Sequence, residues 1–270
     1  MKSKKLVVFL VILIFLAVLI VLNSTLFTLQ SVSINWLTTK YELETIKDSS
    51  MISSVKKGDS IFLLNKDEIK SSLEKKYPYL RVVKIETKFP NKIVIHSAER
   101  ESMFAVKLSD NEYAVIDERG KVLSLSTSSI FAGSELSAKP IQVYFSSMSI
   151  DPADYVKGEI INNETIVNLF TQISRSLRES DYIPTTSKRN IVSIDVVSVG
   201  ESVEIYFQTR NGLRIILKDG LEHTTDKFIL GLDRYNYFHQ EGVISGDIIV
   251  WEDALGDQIF ARYEEIEKGN

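Results

Sequence analysis

The feature that most restricts this chain is an unbroken apolar run from Leu6 to Leu22. As a helix its seventeen residues rise about 25 Å, slightly less than the roughly 30 Å hydrocarbon core of a bilayer. Continuing through Asn23-Ser24-Thr25 to Leu29 would supply the missing length, so a transmembrane helix is expected over residues 6–27. Lys2, Lys4 and Lys5 precede the run and no further positive charge occurs until Lys40. That bias predicts a cytoplasmic tail, residues 1–5, with the body outside. A five-residue tail is too short to fold or to hold much of a binding site. A cleaved signal peptide is the rival reading, but it needs a small-x-small site that is not obvious after Leu22.

Charge and composition narrow the rest. The net charge is −4, and the three leading lysines leave −7 on the remainder. An acidic body argues against nucleic acid or anionic lipid held by bulk electrostatics. There is no cysteine, which excludes thiol catalysis, disulfide scaffolds and cysteine-zinc clusters.

The most patterned stretch is Gly58–Arg100. A Gly58-Asp59 turn leads into the apolar run Ile61–Leu64. Asn65 and Glu68 form a capping-box pattern at the start of a helix. Ile69, Leu73 and Tyr77 fall on one stripe of it, and Pro78 stops it. Two β-type runs follow, Leu80–Lys88 and Lys92–Glu99, joined at Phe89-Pro90-Asn91. In the second, Ile93 and Ile95 share a face; in the first, Val82 and Lys84 fall on opposite parity from Val83 and Ile85, so no face is assigned. Upstream, Phe27–Asn35 alternates as a strand and Tyr41–Ser49 reads as a short helix with Leu43 and Ile46 inward. Trp36 is read as domain core, with a place over the headgroups as the rival.

The run Gly58-x-x-Ile61-Phe62, the amphipathic helix, Tyr77-Pro78-Tyr79, the Phe89-Pro90-Asn91 turn and the closing Glu99-Arg100 resemble the POTRA domain of the FtsQ/DivIB cell-division family. Tyr113-Ala-Val-Ile-Asp117-Glu-Arg-Gly120-Lys-Val-Leu123 is similar to the start of that family's second domain. The resemblance covers roughly residues 27–123 and continues beyond that only in layout. It implies an α+β chain with an anchor, a POTRA domain of strand-helix-helix-strand-strand order over 28–99, a β-rich domain with two helices over 100–263, and a frayed tail over 264–270.

Beyond Arg100 the pattern is mostly β. Phe104, Val106 and Leu108 alternate, as do Tyr113, Val115 and Asp117; Lys121–Ser124 and Ile141–Phe145 read as strands, and the serine-rich 124–137 as an exposed loop. Asn163–Arg178 is a helix with Asn162 or Asn163 as cap and Ile166, Leu169, Phe170, Ile173 and Leu177 on one face. Val192, Ile194 and Val196 share a face, as do Val203, Ile205 and Phe207. Asn211-Gly212 marks a hairpin in which both positions accept positive φ. Leu213, Ile215 and Leu217 continue the far strand. Thr224–His239 is a second helix, in which Gly231 costs about 1 kcal/mol relative to alanine. Asp247–Trp251 and Asp257–Tyr263 close the fold.

No catalytic constellation emerges. His96, His223 and His239 lack metal-ligand spacing. Glu99, Glu101, Asp117 and Glu118 sit beside turns or basic neighbours, whereas a glycosidase needs a pair at defined separation. Asn23-Ser24-Thr25 and Asn163-Glu164-Thr165 match a short, common sequon. The chain is therefore expected to be non-enzymatic, with no cofactor, no metal, no small-molecule substrate and no nucleic acid.

What remains is surface. The last strand of an open sheet can capture a partner strand through main-chain hydrogen bonds, and here that strand is Asp257–Arg262, with Gln258, Phe260 and Arg262 on one face and Ile259 and Ala261 on the other. The resemblance implies that this end holds a partner of the FtsB/DivIC type, with FtsL, and places Trp251 and Gly256 nearby. Its POTRA surface would serve recruitment; Lys84, Lys88 and Lys92 form a basic patch there. A secretion or envelope-assembly protein would show repeated POTRA units or a β-barrel, and an extracytoplasmic sensor or cell-wall hydrolase a polar pocket or paired carboxylates.

Overall fold

The first regular element of the computed structural model is a helix, α1 (Lys2–Leu22). Residues 2–22, 25–38, 48–131, 139–179, 190–253, 255–256 and 258–266 are described, in two compact units, Met1–Arg100 and Glu101–Asn270. Along α1 every side chain from Leu6 to Val21 is exposed. Among the described residues no helix is long and apolar enough to cross a membrane; the uninterrupted run of α1 falls about 5 Å short of a full hydrocarbon core. The helix does not extend toward Leu29 as expected. It ends at Leu22, a 3-10 turn occupies Thr25–Phe27, and Leu29 is 1% exposed in the core of the first unit, its N–H donated to the Asp59 carbonyl at 2.8 Å. An apolar side chain with a core of its own to enter leaves the helix.

The first unit continues through β1 (Ser31–Thr38), α2 (Asp48–Ser54), α3 (Lys66–Lys76), β2 (Leu80–Lys88) and β3 (Lys92–Glu99). The sheet order is β1-β3-β2, with β1 parallel and β2 antiparallel to β3. β1 starts four residues later than its alternation predicts, because Thr25–Phe27 is already a turn, and it runs through Trp36, which packs on the core. The helix expected over 41–49 lies almost wholly outside the described residues; α2 follows it and buries Met51. Val32, Met51, Leu73, Val82, Ile85 and Ile95 meet in one cluster, and each such side chain contributes about 2 kcal/mol by leaving water.

α3 begins where its sequence says. Asn65 Oδ1 accepts the Glu68 N–H at 3.1 Å, and Tyr77 closes the last turn by donating to the Leu73 carbonyl. The ambiguous parity of β2 has a physical cause. The register slips between Val82 and Lys84, so Val83 is the extra residue of a bulge; Leu80, Val82 and Ile85 all face the core while Val83 is exposed. Beside the bulge, Glu74 of α3 accepts the Val82 N–H at 2.8 Å and pairs with Arg100 at 2.9 Å, while Arg100 Nε donates to the Leu80 carbonyl. The closing Glu99-Arg100 is thus a latch between helix and sheet.

The second unit is built on nine strands in the order β12-β11-β10-β9-β8-β7-β4-β5-β6. They are β4 (Phe104–Lys107), β5 (Tyr113–Ile116), β6 (Val122–Ser126), β7 (Ile141–Phe145), β8 (Ile191–Val199), β9 (Ser202–Thr209), β10 (Leu213–Leu217), β11 (Gly246–Glu252) and β12 (Ile259–Glu264). Helices α4 (Glu164–Glu179) and α5 (Thr224–Gln240) each fill a crossover between parallel neighbours, β7-α4-β8 and β10-α5-β11. Parallel strands cannot be joined by a tight turn; the third parallel pair, β4 with β7, is connected through β5 and β6 instead of a helix.

Asn163 caps α4, its Oδ1 accepting the Ile166 N–H at 3.2 Å. The apolar faces of both helices cover one face of the sheet, with Phe170 against Phe104 at 4.8 Å and Phe228 stacked on Phe207 at 4.0 Å. Gly231 has a reason to interrupt α5: a Cβ there would lie 2.5 Å from Ile215 Cγ2, so its absence lets helix and sheet approach.

Four local readings are corrected. β4 and β5 do not alternate: Phe104, Ala105 and Val106, and all of Tyr113–Ile116, are buried, as in strands covered on both faces. Val192 does not share the face of Ile194 and Val196; a bulge between Ile191 and Ser193 turns it out, and Ile191 takes its place inside. Strand β6 reaches Ser126 and a 3-10 turn spans Ser128–Phe131 within the expected serine-rich loop, whose residues 132–137 lie outside the described set. At the β9–β10 turn only Gly212 takes a positive φ, 94°; Asn211 instead accepts a hydrogen bond from the Thr209 hydroxyl.

Candidate functional site

The C-terminal hairpin, β11 and β12, ends the nine-stranded sheet on one side. Its antiparallel register pairs Asp247 with Glu264, Ile249 with Arg262, Trp251 with Phe260 and Glu252 with Ile259. Strand β12 thus spans Ile259–Glu264, two residues later than expected, and Asp257 lies outside the described residues. Its burial alternates cleanly. Ile259, Ala261 and Tyr263 pack on the core of the second unit, while Phe260, Arg262 and Glu264 face out.

On the outward face, Trp251 and Phe260 stack at 5.8 Å, and the Arg262 guanidinium lies 5.5 Å from the Trp251 ring. Arg262 also pairs with Glu264 at 2.6 Å. Trp251, Phe260 and Arg262 therefore form one assembly. Ile259 and Ala261 seat the strand from behind. Gln258 and Gly256 do not join either face. Both belong to the connecting loop, where the Asp253 N–H donates to the Gln258 carbonyl, the Gln258 N–H to Asp253 Oδ1, and the Gly256 N–H to the Asp253 carbonyl.

Two supports hold the hairpin. Tyr263 packs at a tilt against Phe238 of α5, ring centroids 4.7 Å apart, and donates its hydroxyl to the Ser245 carbonyl at 2.8 Å. Its ring occupies the space beside Gly246, where φ is 134° and a Cβ would sit 2.3 Å from Tyr263 Cε2. The second support is Lys227, which is fully buried in α5. Its ammonium donates to the Lys218 and Asp219 carbonyls at the end of β10 and lies 3.3 Å from Glu252 Oε1, which His223 also approaches at 2.9 Å. A lysine on a helix reads as solvent-facing, so no signal in the sequence reveals this role.

The same outward face continues inland as ordered polar pairs. Arg214 grips Asp247 with two 2.7 Å hydrogen bonds, and Lys218 reaches Glu204 at 2.6 Å. Burial works to raise the Glu204 carboxyl, but hydrogen bonds from Lys218 and Tyr206 outweigh it and hold the group below the ordinary carboxylate range. The bond to Glu204, with burial, pushes the Tyr206 phenol up to about 12. A shallow concavity of about 430 Å³ lies on this face between Tyr144, Asp195, Tyr206 and Arg214. Its two charged groups are each engaged elsewhere, Arg214 with Asp247 and Asp195 with the Ser146 hydroxyl at 2.6 Å.

The other candidates have structural occupations. Asp117, 2% exposed, accepts the Arg119 and Lys121 N–H groups at 2.9 Å and so shapes the turn of the Asp117–Gly120 signature. Glu118 pairs with Arg178 at 2.6 Å. His96 bridges Asn35 and Glu86 on the surface. The hydrogen bond from Lys88, and then that of His96, lowers the Glu86 carboxyl. Among the described residues no group of three or more histidine, aspartate or glutamate side chains is placed to hold a metal ion.

Comparison with known proteins gives the geometry a context. Residues 27–100 match the family model described as the POTRA domain, FtsQ-type. The chain is 36% identical over 122 residues to the cell division protein DivIB of Clostridium botulinum, covering 45% of each. It is 37% identical over 82 residues to DivIB of Clostridium acetobutylicum, covering 30% of this chain and 32% of that one. With DivIB of Lactococcus lactis it shares 24% identity over 164 residues, 60% of this chain and 38% of the relative. The matches thus span about half the length, or less, of these relatives.

Proposed function

We propose, from the similarity to FtsQ-type POTRA domains and to DivIB cell division proteins, that this chain is a non-enzymatic scaffold of the bacterial division machinery. In this reading α1 anchors it as a single-pass protein of the cell membrane, with the lysine-bearing end cytoplasmic and the two folded units outside, at the septum. There it assembles with partners of the FtsB/DivIC and FtsL type and helps to control septal peptidoglycan synthesis.

The anchor is supported by a 21-residue helix with apolar side chains exposed all round. Its seventeen-residue apolar run is at the short end of what spans a bilayer, and lipid accommodates a shortfall of a few ångströms by thinning, at fractions of a kcal/mol per ångström.

The observation that carries the binding reading is the position of β12, at the edge of a nine-stranded sheet with Trp251, Phe260 and Arg262 stacked beside the open edge. An edge strand offers unpaired N–H and C=O groups in register, and an added strand gains its affinity from them. The aromatic-guanidinium stack gives the side chains of that strand a surface to read. Ile259 and Ala261 hold the edge in place from the core side.

The test is Phe260→Asp in the full chain, titrated with the host's own DivIC-type and FtsL-type proteins. The expected result is at least a tenfold loss of affinity, about 1.4 kcal/mol or more, with an unchanged melting temperature. Unchanged affinity would sink the proposal.

A further inference from the structure

Within the first unit, a second apolar surface lies where the chain leaves α1. Phe27 of the 3-10 turn, Phe62 of the loop before α3 and Phe89 of the β2–β3 turn form a chain of rings, with successive centroids 5.3 Å apart. The core does not cover them. Phe62 is 46% exposed, Phe89 62%, and the adjoining Leu26 and Leu63 54% and 78%. Backbone bonds fix the three segments together: the Ile61 N–H donates to the Phe27 carbonyl, the Leu29 N–H to Asp59, and the Gln30 N–H to Asn91. The patch is therefore preorganised, and it costs stability to leave it in water.

Its position names its occupant. β1 begins opposite the start of β3, Ser31 against Lys92, so this end of the sheet is the one that faces the exit of α1. Leu26 is four residues from Leu22, a reach of at most about 14 Å. The headgroup zone on each side of the hydrocarbon core is itself roughly 5–7 Å thick. Aromatic side chains favour that zone. Exposed lysines rim the patch: Lys56 and Lys57 before Gly58, and Lys88 and Lys92 on either side of the Phe89 turn. Basic side chains beside an inserted apolar cap suit an anionic lipid surface.

We propose that Leu26, Phe62, Leu63 and Phe89 are a second membrane contact, set in the boundary between lipid headgroups and acyl chains beside α1. A single helix followed by a short connection would let the first unit swivel; this contact gives it a fixed orientation on the bilayer. The inference rests on the reading of α1 as a membrane anchor, and the experiment separates the two.

The chain has no cysteine, so single spin labels can be placed at Leu63→Cys, Leu13→Cys and Val83→Cys in the full protein. Val83 is exposed on β2, five residues and about 17 Å along the strand from Lys88. In nanodiscs of phosphatidylethanolamine and phosphatidylglycerol, collision with oxygen and with a water-soluble nickel chelate reports depth. The expected result is a Leu13 label in the hydrocarbon, a Val83 label in water, and a Leu63 label at headgroup depth with nickel access several-fold below that at Val83. Adding Phe62→Ser and Phe89→Ser should return Leu63 to the Val83 value. A Leu13 label in the bilayer with Leu63 as accessible as Val83 overturns the contact and leaves the anchor standing. So does a Leu63 label that stays shielded after both phenylalanines are removed, because α1 alone would then account for its depth. Nickel access at Leu13 overturns the anchor, and the contact with it.

Discussion

The two edges of the nine-stranded sheet are managed in opposite ways. At the start of β6 the chain covers its own edge. The segment Gly158–Ile161 runs beside it, with the Val122 N–H donating to the Glu159 carbonyl, the Gly158 N–H to the Val122 carbonyl, and a bridge between Lys121 and Ile160. Asp117 holds the preceding turn so that β6 meets this cover. At β12 the described residues include no such segment, and the outward face carries Phe260 instead of serine. An exposed edge invites pairing, and proteins ordinarily blunt it with charge or cover. One edge covered and one left open with an aromatic stack is the contrast on which the proposed partner site rests.

The largest effect on that contrast is expected from Lys227→Met. Glu252 would keep its buried place without its buried cation, and removing one partner of such a pair costs about 3–5 kcal/mol. Chemical denaturation measures the loss. Amide exchange should rise at β12, next to Glu252, and stay unchanged at β6; equal loosening of both edges would show that Lys227 supports the sheet generally.

Gly246→Ala comes next, at about 2 kcal/mol, because the new methyl meets the Tyr263 ring in a backbone conformation that side chains avoid. Its mark is weaker partner binding in a chain that still folds. Asp117→Ala tests the other edge. Two N–H groups lose their acceptor, for about 1–2 kcal/mol, and amide exchange should rise at Val122–Ser126 while partner affinity holds. A loss of affinity from Asp117→Ala would break the division of labour between the edges.

How much of this was legible follows from how local each cause is. The bounds of β2 and β3 could be read residue for residue, since a Phe-Pro-Asn turn separates them, but alternation gave faces only in β3. α3 and α4 followed from caps and stripes: Asn65 acts as read, and of Asn162 and Asn163 it is Asn163 that caps. The bulges at Val83 and Val192 were hidden, because the strand opposite decides where an extra residue goes. The order of nine strands was hidden for the same reason, since parallel pairs such as β4 with β7 join distant segments. In the last strand the shared outward side of Phe260 and Arg262 was legible from alternation, whereas Trp251 entered only through the resemblance. Glu264 was lost to the assumption that a charged C-terminal stretch frays, and Lys227 was invisible because its charge is held inside.

The most direct measurement of the central claim is hydrogen exchange on the full chain, with and without the host's DivIC-type and FtsL-type proteins. Strand addition at the open edge predicts new protection centred on Ile259–Glu264, smaller changes in β11, and none at β6. Complex formation with β12 unprotected, or with protection centred on β6, would contradict the account.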